Sequence, residues 1–380
     1  MAGSLVLTVA ALALAAAGSP APDPHPRARR LGVVTGVLPT GTLDAITDVE
    51  GVRVGQATVA VGDDLRTGVT VILPHPGNVF QEKVPAAVYV GNGFGKLTGT
   101  TQVAELGTLE TPIALTGTLS TWKVADALAE WVLGQPGNAE VGSVNPVVGE
   151  CNDGYLSDIR KRPVGRKELL AAIAAAAAGP VAEGSVGAGT GTRCLGWKGG
   201  IGTASRKLPP SLGGWTVGVL VQTNFGGALT IAGVPVGVEL GRYSFERELA
   251  VPERGSCMVV IATDAPVDAR QLGRIAARMS MGLARVGGFA ANGSGDYAIA
   301  FTANPRCRVA DDARGERSAP VLVDDELSPI FLATVEATEE AVLDSLFTAT
   351  TTHGFQGHSA EALPVARVLD ILRRHHALAE

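Results

Sequence analysis

Aromatic side chains are scarce in this sequence, at 4% of 380 residues, and charged ones make up only 18%. There are six histidines, and none has a spacing that suggests a metal ligand. The four cysteines (Cys151, Cys194, Cys257 and Cys307) are scattered and contain no C-x-x-C pair, which argues against a zinc framework. Export would leave two disulfides open to them, with no connectivity indicated. The interior has no basic cluster and the net charge is −6, so nucleic acid is not an expected partner. The longest apolar run, Leu5 to Ala17, is too short to span a bilayer. What the chain does have is 46% apolar residues and 49 glycines, the composition of a globular protein with many tight turns and close backbone contacts.

Residues 1–30 differ from the rest. The alanine-rich run is followed by Ala15-Ala-Ala-Gly-Ser19, small residues suited to signal-peptidase cleavage, although no Lys or Arg precedes it. Pro20 to Arg30 reads as a disordered linker. A secreted or periplasmic protein is the expectation, with a cytoplasmic one as the alternative. Residues 31–380 are long enough for one large domain or two, and the family resemblance given below implies one.

Alternating runs bounded by Asn, Asp and Gly predict strands at Val52–Ala60, Gly68–Leu73, Ala86–Val90, Ile113–Leu119, Gly214–Val221, Cys257–Ala262 and Tyr297–Phe301. Helical spacing predicts Trp122–Leu133, Lys167–Ala178, Asp268–Val286, Leu327–Thr348 and Leu363–His375. Gly91-Asn-Gly-Phe-Gly-Lys96 tempts one towards phosphate binding. A Walker loop would need glycine at position 90 and Ser or Thr at 97, where the chain has Val90 and Leu97. A loop that lets backbone pass close to another group fits better. Glu150, Asp153 and Asp158, without histidine company, read as turn and surface residues.

The chain is organised around Val251–Pro266, in which Glu253-Arg-Gly255 leads into Ser256 and a buried, β-branched strand. Ser256 is either a polar residue at a strand edge or the nucleophile exposed by cleavage of the Gly255–Ser256 bond. In the second case the new α-amine, with a pKa of about 8, can serve as its base. No histidine lies near, so a Ser-His-Asp triad is not the design.

Five stretches occur together. They are Gly255-Ser-Cys-Met-Val-Val-Ile-Ala-Thr-Asp-Ala-Pro266, Asn292-Gly-Ser-Gly-Asp296, Val219-Leu-Val-Gln-Thr-Asn-Phe-Gly226, Trp197-Lys-Gly-Gly-Ile-Gly-Thr-Ala-Ser-Arg206 and Val148-Gly-Glu-Cys-Asn-Asp-Gly-Tyr155. Together they resemble the L-aminopeptidase/D-esterase and β-aminopeptidase family of self-processing serine peptidases. The resemblance covers roughly residues 31–375. It implies an α+β, four-layer αββα sandwich of the N-terminal-nucleophile-hydrolase kind, cut into an α-chain ending at Gly255 and a β-chain running from Ser256 to 380. It makes Ser256 the nucleophile, Ser294 its working partner and Asp296 the acidic residue beside them. Asn224 becomes the oxyanion donor, and Tyr155 an aromatic lining the substrate site. No cofactor or metal is implied. Substrates would be small peptides, amides or esters, and the protein a homo-oligomer of αβ pairs.

Two rival readings remain. An acyl transferase like the ornithine acetyltransferases would carry threonine at the cleavage point, and Ser256 argues against it. A non-catalytic exported binding protein would stay uncut. The Asn292-Gly-Ser294 sequence is also a glycosylation sequon.

Overall fold

The computed structural model describes residues 25–245 and 254–379. The leader's apolar run and Glu253 lie outside the described residues. The principal strands are β1 (Arg53–Val61), β2 (Leu65–Leu73), β3 (Glu82–Gly93), β4 (Ile113–Gly117), β5 (Val147–Cys151), β6 (Ile201–Lys207), β7 (Thr216–Asn224), β8 (Arg254–Thr263) and β9 (Gly293–Thr302). The principal helices are α1 (Thr121–Leu133), α2 (Arg166–Ala174), α3 (Ala269–Ala276), α4 (Met279–Arg285), α5 (Ser328–Phe347) and α6 (Val365–Arg374).

The strands form two sheets. The smaller has the order β1-β2-β4-β5, with β4 and β5 parallel. The larger runs β3-β9-β8-β7-β6, and β8 and β9 are its parallel pair. Alternation along each strand supplies two apolar faces, so each sheet buries both sides. Ile72, Ile113 and Leu115 of the smaller sheet meet Leu220, Met258, Val260 and Ile299 of the larger. On the outer side of the smaller sheet, Val69, Val71 and Val148 pack under Val124, Leu128 and Leu169 of α1 and α2. On the outer side of the larger, Val219, Val259, Ile261 and Ala298 pack under Leu272, Ile275, Val342 and Leu346. The layers are therefore α, β, β and α, as expected.

Two helices depart from their expected bounds. α2 stops at Ala174 rather than Ala178 because Ala177 pairs with Val54 through both main-chain bonds, each 3.1 Å. The 268–286 segment is two helices, α3 and α4, rather than one. At the join, Arg278 N bonds Ile275 O and Met281 N bonds Arg278 O, the tighter three-residue spacing. Beyond it the chain changes neighbours: α3 lies on β3 and β9, whereas α4 follows α5.

The expected linker through Arg30 also ends early. Ala28–Leu31 is a 3₁₀ turn, and Arg27 and Arg29 join a buried charge cluster. Arg206, wholly inaccessible, bonds Glu336 at 3.0 Å and Glu340 at 2.7 Å, while Arg27 reaches Asp344 at 2.7 Å and Glu183 at 2.9 Å. Burial pushes Asp344 up to about 7 and Asp44 up to about 6. The 336/340/344 face of α5 is thus acidic and buried at once, because arginines from two segments of the fold, 27–29 and β6, neutralise it.

Candidate active site

β7, β8 and β9 lie side by side, and their register sets the site. Asn224 stands opposite Ser256 in the antiparallel pair β7/β8. Across the parallel pair, Gly255 is opposite Ser294 and Ser256 opposite Gly295. Alternation then decides which face each side chain takes. Ser256 shares the inter-sheet face with Met258 and Val260, and so do Asn224 and Leu220. Ser294 and Asp296 share the helix-side face with Ala298 and Ala300. The Gly255–Ser256 peptide therefore runs between two polar groups, one on each side of the sheet.

On the inter-sheet side, Ser256 Oγ accepts from Asn152 N at 3.3 Å and from Asn224 Nδ2 at 3.4 Å. The orientation of the Asn224 amide follows from its other end, since Oδ1 accepts from Arg193 N at 3.1 Å and leaves Nδ2 for Ser256. Ser256 is only 2% exposed. Cys151, behind it, donates to Gln222 O at 3.3 Å, and burial raises its thiol well above the ordinary value. It is a buried neutral thiol rather than a second nucleophile.

On the helix side, Ser294 Oγ donates to Asp296 Oδ1 at 2.7 Å. Desolvation raises the Asp296 carboxyl, and the Ser294 bond partly opposes that. Among the described residues Asp296 Oδ2 is buried with no protein partner. Both residues line a cavity of about 250 Å³ whose walls include Phe225, Met279, Leu283 and Phe289. A cation entering this mostly apolar cavity would find one unsatisfied carboxylate oxygen. Gly255 lines it too. A Cβ at Gly255 would lie 3.2 Å from Ser294 Oγ and 3.0 Å from Phe225 Cα, so glycine lets strand and serine approach closely.

Tyr155 lies three residues after Asn152 in the chain. Its ring stacks on His358 at 4.4 Å between centroids and carries the Arg193 guanidinium at 3.6 Å. It meets the site through Arg193, whose main chain holds Asn224. Glu150 and Asp153, expected at the surface, are 2% and 1% exposed. Glu150 accepts from Lys96 N at 3.0 Å and from the Thr118 hydroxyl. Burial raises Asp153 to about 7. Missing side chains at Gly117 and Gly191 make the room that keeps Asp153 inside. The main-chain donor Asn152 N was missed in the sequence, because a backbone N–H carries no residue signature.

Among the described residues no cluster of His, Cys, Asp or Glu could hold a metal ion, and the four cysteines are all free and buried.

Comparisons with known proteins give the family and the fold. The family model described as peptidase family S58 matches residues 44–360. A β-peptidyl aminopeptidase of Sphingosinicella microcystinivorans is 41% identical, over 93% of both chains. The structure of a Burkholderia sp. β-aminopeptidase superposes with a TM-score of 0.84 at 42% identity, covering 92% of this chain and 98% of that one. That of the L-aminopeptidase D-Ala-esterase/amidase of Ochrobactrum anthropi, described as a prototype for the serine aminopeptidases and a variant of the Ntn hydrolase fold, gives 0.86 at 35%, covering 93% and 100%. With that fold, that site and these relatives, the chain belongs to peptidase family S58 and is a serine aminopeptidase of the N-terminal-nucleophile type.

Proposed function

We propose that this aminopeptidase activates itself by cutting Gly255–Ser256 and then uses Ser256 as its nucleophile. The observation that carries this is the placing of two polar groups on opposite faces of one peptide bond: two N–H donors on Ser256 Oγ, and Ser294–Asp296 beside Gly255. In the uncut chain, Ser256 Oγ attacks the Gly255 carbonyl carbon and the proton passes to the Ser256 nitrogen as the C–N bond breaks. Water then hydrolyses the resulting ester, leaving a Gly255 carboxylate and a free Ser256 amine.

In the mature enzyme the same hydroxyl attacks the substrate carbonyl, and its proton goes to the new amine. Asn224 Nδ2 and Asn152 N–H stabilise the oxyanion. The released amine or peptide takes the proton as it leaves, and water frees the acyl group. Asp296 holds Ser294 and receives cationic amines at Oδ2, which has no partner among the described residues. The similarity to β-peptidyl aminopeptidases supports substrates with an N-terminal β-amino acid. The resemblance supports an oligomer of αβ pairs, and the run Leu5–Ala17 with small residues after it supports export.

Quenching turnover of a β-homoamino acyl ester and mapping the adduct tests this reading. The acyl mass is expected on the peptide that begins at Ser256, and an adduct on any other residue would overturn it. A pH profile follows from the raised Asp296 carboxyl. The required ionised form is lost as pH falls through this pKa, which lies above the ordinary carboxylate value of about 3.9, so kcat falls there in addition to the limb that the Ser256 amine sets at about 8. Asp296→Asn should remove the carboxyl limb and lower the plateau while the limb of the Ser256 amine stays; a carboxyl limb unchanged in the variant would assign it to another group.

A further inference from the structure

The Gly91–Lys96 loop, a failed phosphate motif in the sequence, ends up beside Ser294. β3 and β9 pair with Asn92 opposite Asp296 and Val90 opposite Tyr297, so Gly91 is the extra residue of a β-bulge. A Cβ at Gly91 would lie 2.9 Å from Met279 Cε and 3.3 Å from Asp296 O, so the bulge also sits tight against the cavity wall. The bulge aims Asn92 along the turn that carries Ser294. Asn92 Nδ2 donates to Ala291 O at 2.9 Å, Ser294 O at 2.5 Å and, more weakly, Asn292 O at 3.4 Å. The turn is closed from within by Ser294 N to Ala291 O at 2.8 Å, and Phe94 N adds a second bond to Ser294 O at 3.1 Å. One side-chain amide thus gathers the main chain on either side of the serine.

We propose that Asn92 is a positioning residue that fixes the 291–294 turn so that Ser294 Oγ is held on Asp296 and beside Gly255. The proposal rests on the reading of Ser294 as the partner of Ser256. An amide is suited to the task because it carries two N–H donors and no charge, whereas a carboxylate there would face three carbonyl oxygens. A hydroxyl group displaced by about 1 Å is enough to cost on the order of 100-fold in rate. Neither Asn92 nor its loop needs to touch substrate for this.

The test is a double-mutant cycle on the full chain, with Asn92→Ala, Ser294→Ala and the pair, read as kcat, KM and the rate of precursor cutting. Asn92→Asp, of nearly the same shape, serves as the second variant, with its pH profile measured. The expected result is a fall in kcat of roughly 10- to 100-fold for Asn92→Ala with KM little changed, and no further loss when it is added to Ser294→Ala. Asn92→Asp should regain kcat as pH falls and its carboxyl gains a donating proton, at pH values where wild type does not rise. Multiplying losses in the double variant would overturn the proposal, as would an unaltered kcat for Asn92→Ala. Failure of both Asn92 variants to fold would also overturn it, in favour of a purely structural bond. Full activity in Ser294→Ala would instead sink the reading of Ser294 itself.

Discussion

Ser256→Ala leaves one uncut chain with no measurable peptidase activity. The expected loss in kcat is at least about 10⁴-fold, the scale seen when a covalent catalyst loses its nucleophile. Two separate losses combine here. Without Oγ there is no attack on Gly255, so the amine that serves as base is never released. Without Oγ there is also no acyl-enzyme, so cleavage supplied by other means would not restore turnover. The variant should still fold, because the main-chain pairing of β8 is kept and the hydroxyl accepts only two long bonds, at 3.3 and 3.4 Å, beside its contact with the Cys151 thiol. Asn152 N and Asn224 Nδ2 lose one acceptor each, and bonds of this length carry a modest cost. A melting temperature close to wild type, with a single band on a denaturing gel, is the expected pair of readings. A variant that is still cut at the same bond would show that another group performs the first step.

Asn224→Ala should lower kcat by about 10²–10³-fold with little change in KM, the usual consequence of losing one oxyanion donor. The structure supports this selectivity. The amide is held by Arg193 N at its oxygen end, so its N–H is aimed before substrate arrives. The second donor, Asn152 N–H, belongs to the backbone and survives the substitution, which leaves residual activity well above that of Ser256→Ala. Asn224→Asp should be worse than alanine, because a carboxylate would then face the developing oxyanion. A change in KM alone would place Asn224 in substrate binding instead.

Much of this was legible in the chain. The strands carrying the site announce themselves by β-branched runs such as Met258-Val-Val-Ile261, and the order of the five motifs points to their family. Four of the expected site residues, Ser256, Asn224, Ser294 and Asp296, come together on three neighbouring strands. Their division between two faces was not legible, since it depends on register as well as on sequence. The stacking of Tyr155 on Arg193 and His358 was not legible, since both partners are distant in sequence. The 268–286 helix reads as continuous because its apolar spacing persists, yet the chain must turn from the sheet to α5. Glu150 and Asp153 read as surface residues because acidic side chains usually are. Their burial depends on glycines and donors distant in sequence, such as Gly191 and Lys96. Arg27 and Arg29 looked like linker for the same reason: their partners on α5 lie more than 300 residues away.

The most direct test of the central claim is the intact mass of the purified wild-type protein, together with the N-terminal sequence of each fragment. The account predicts two chains, the smaller beginning Ser-Cys-Met-Val-Val at Ser256. A single uncut active chain, or a cut at any other bond, would contradict it.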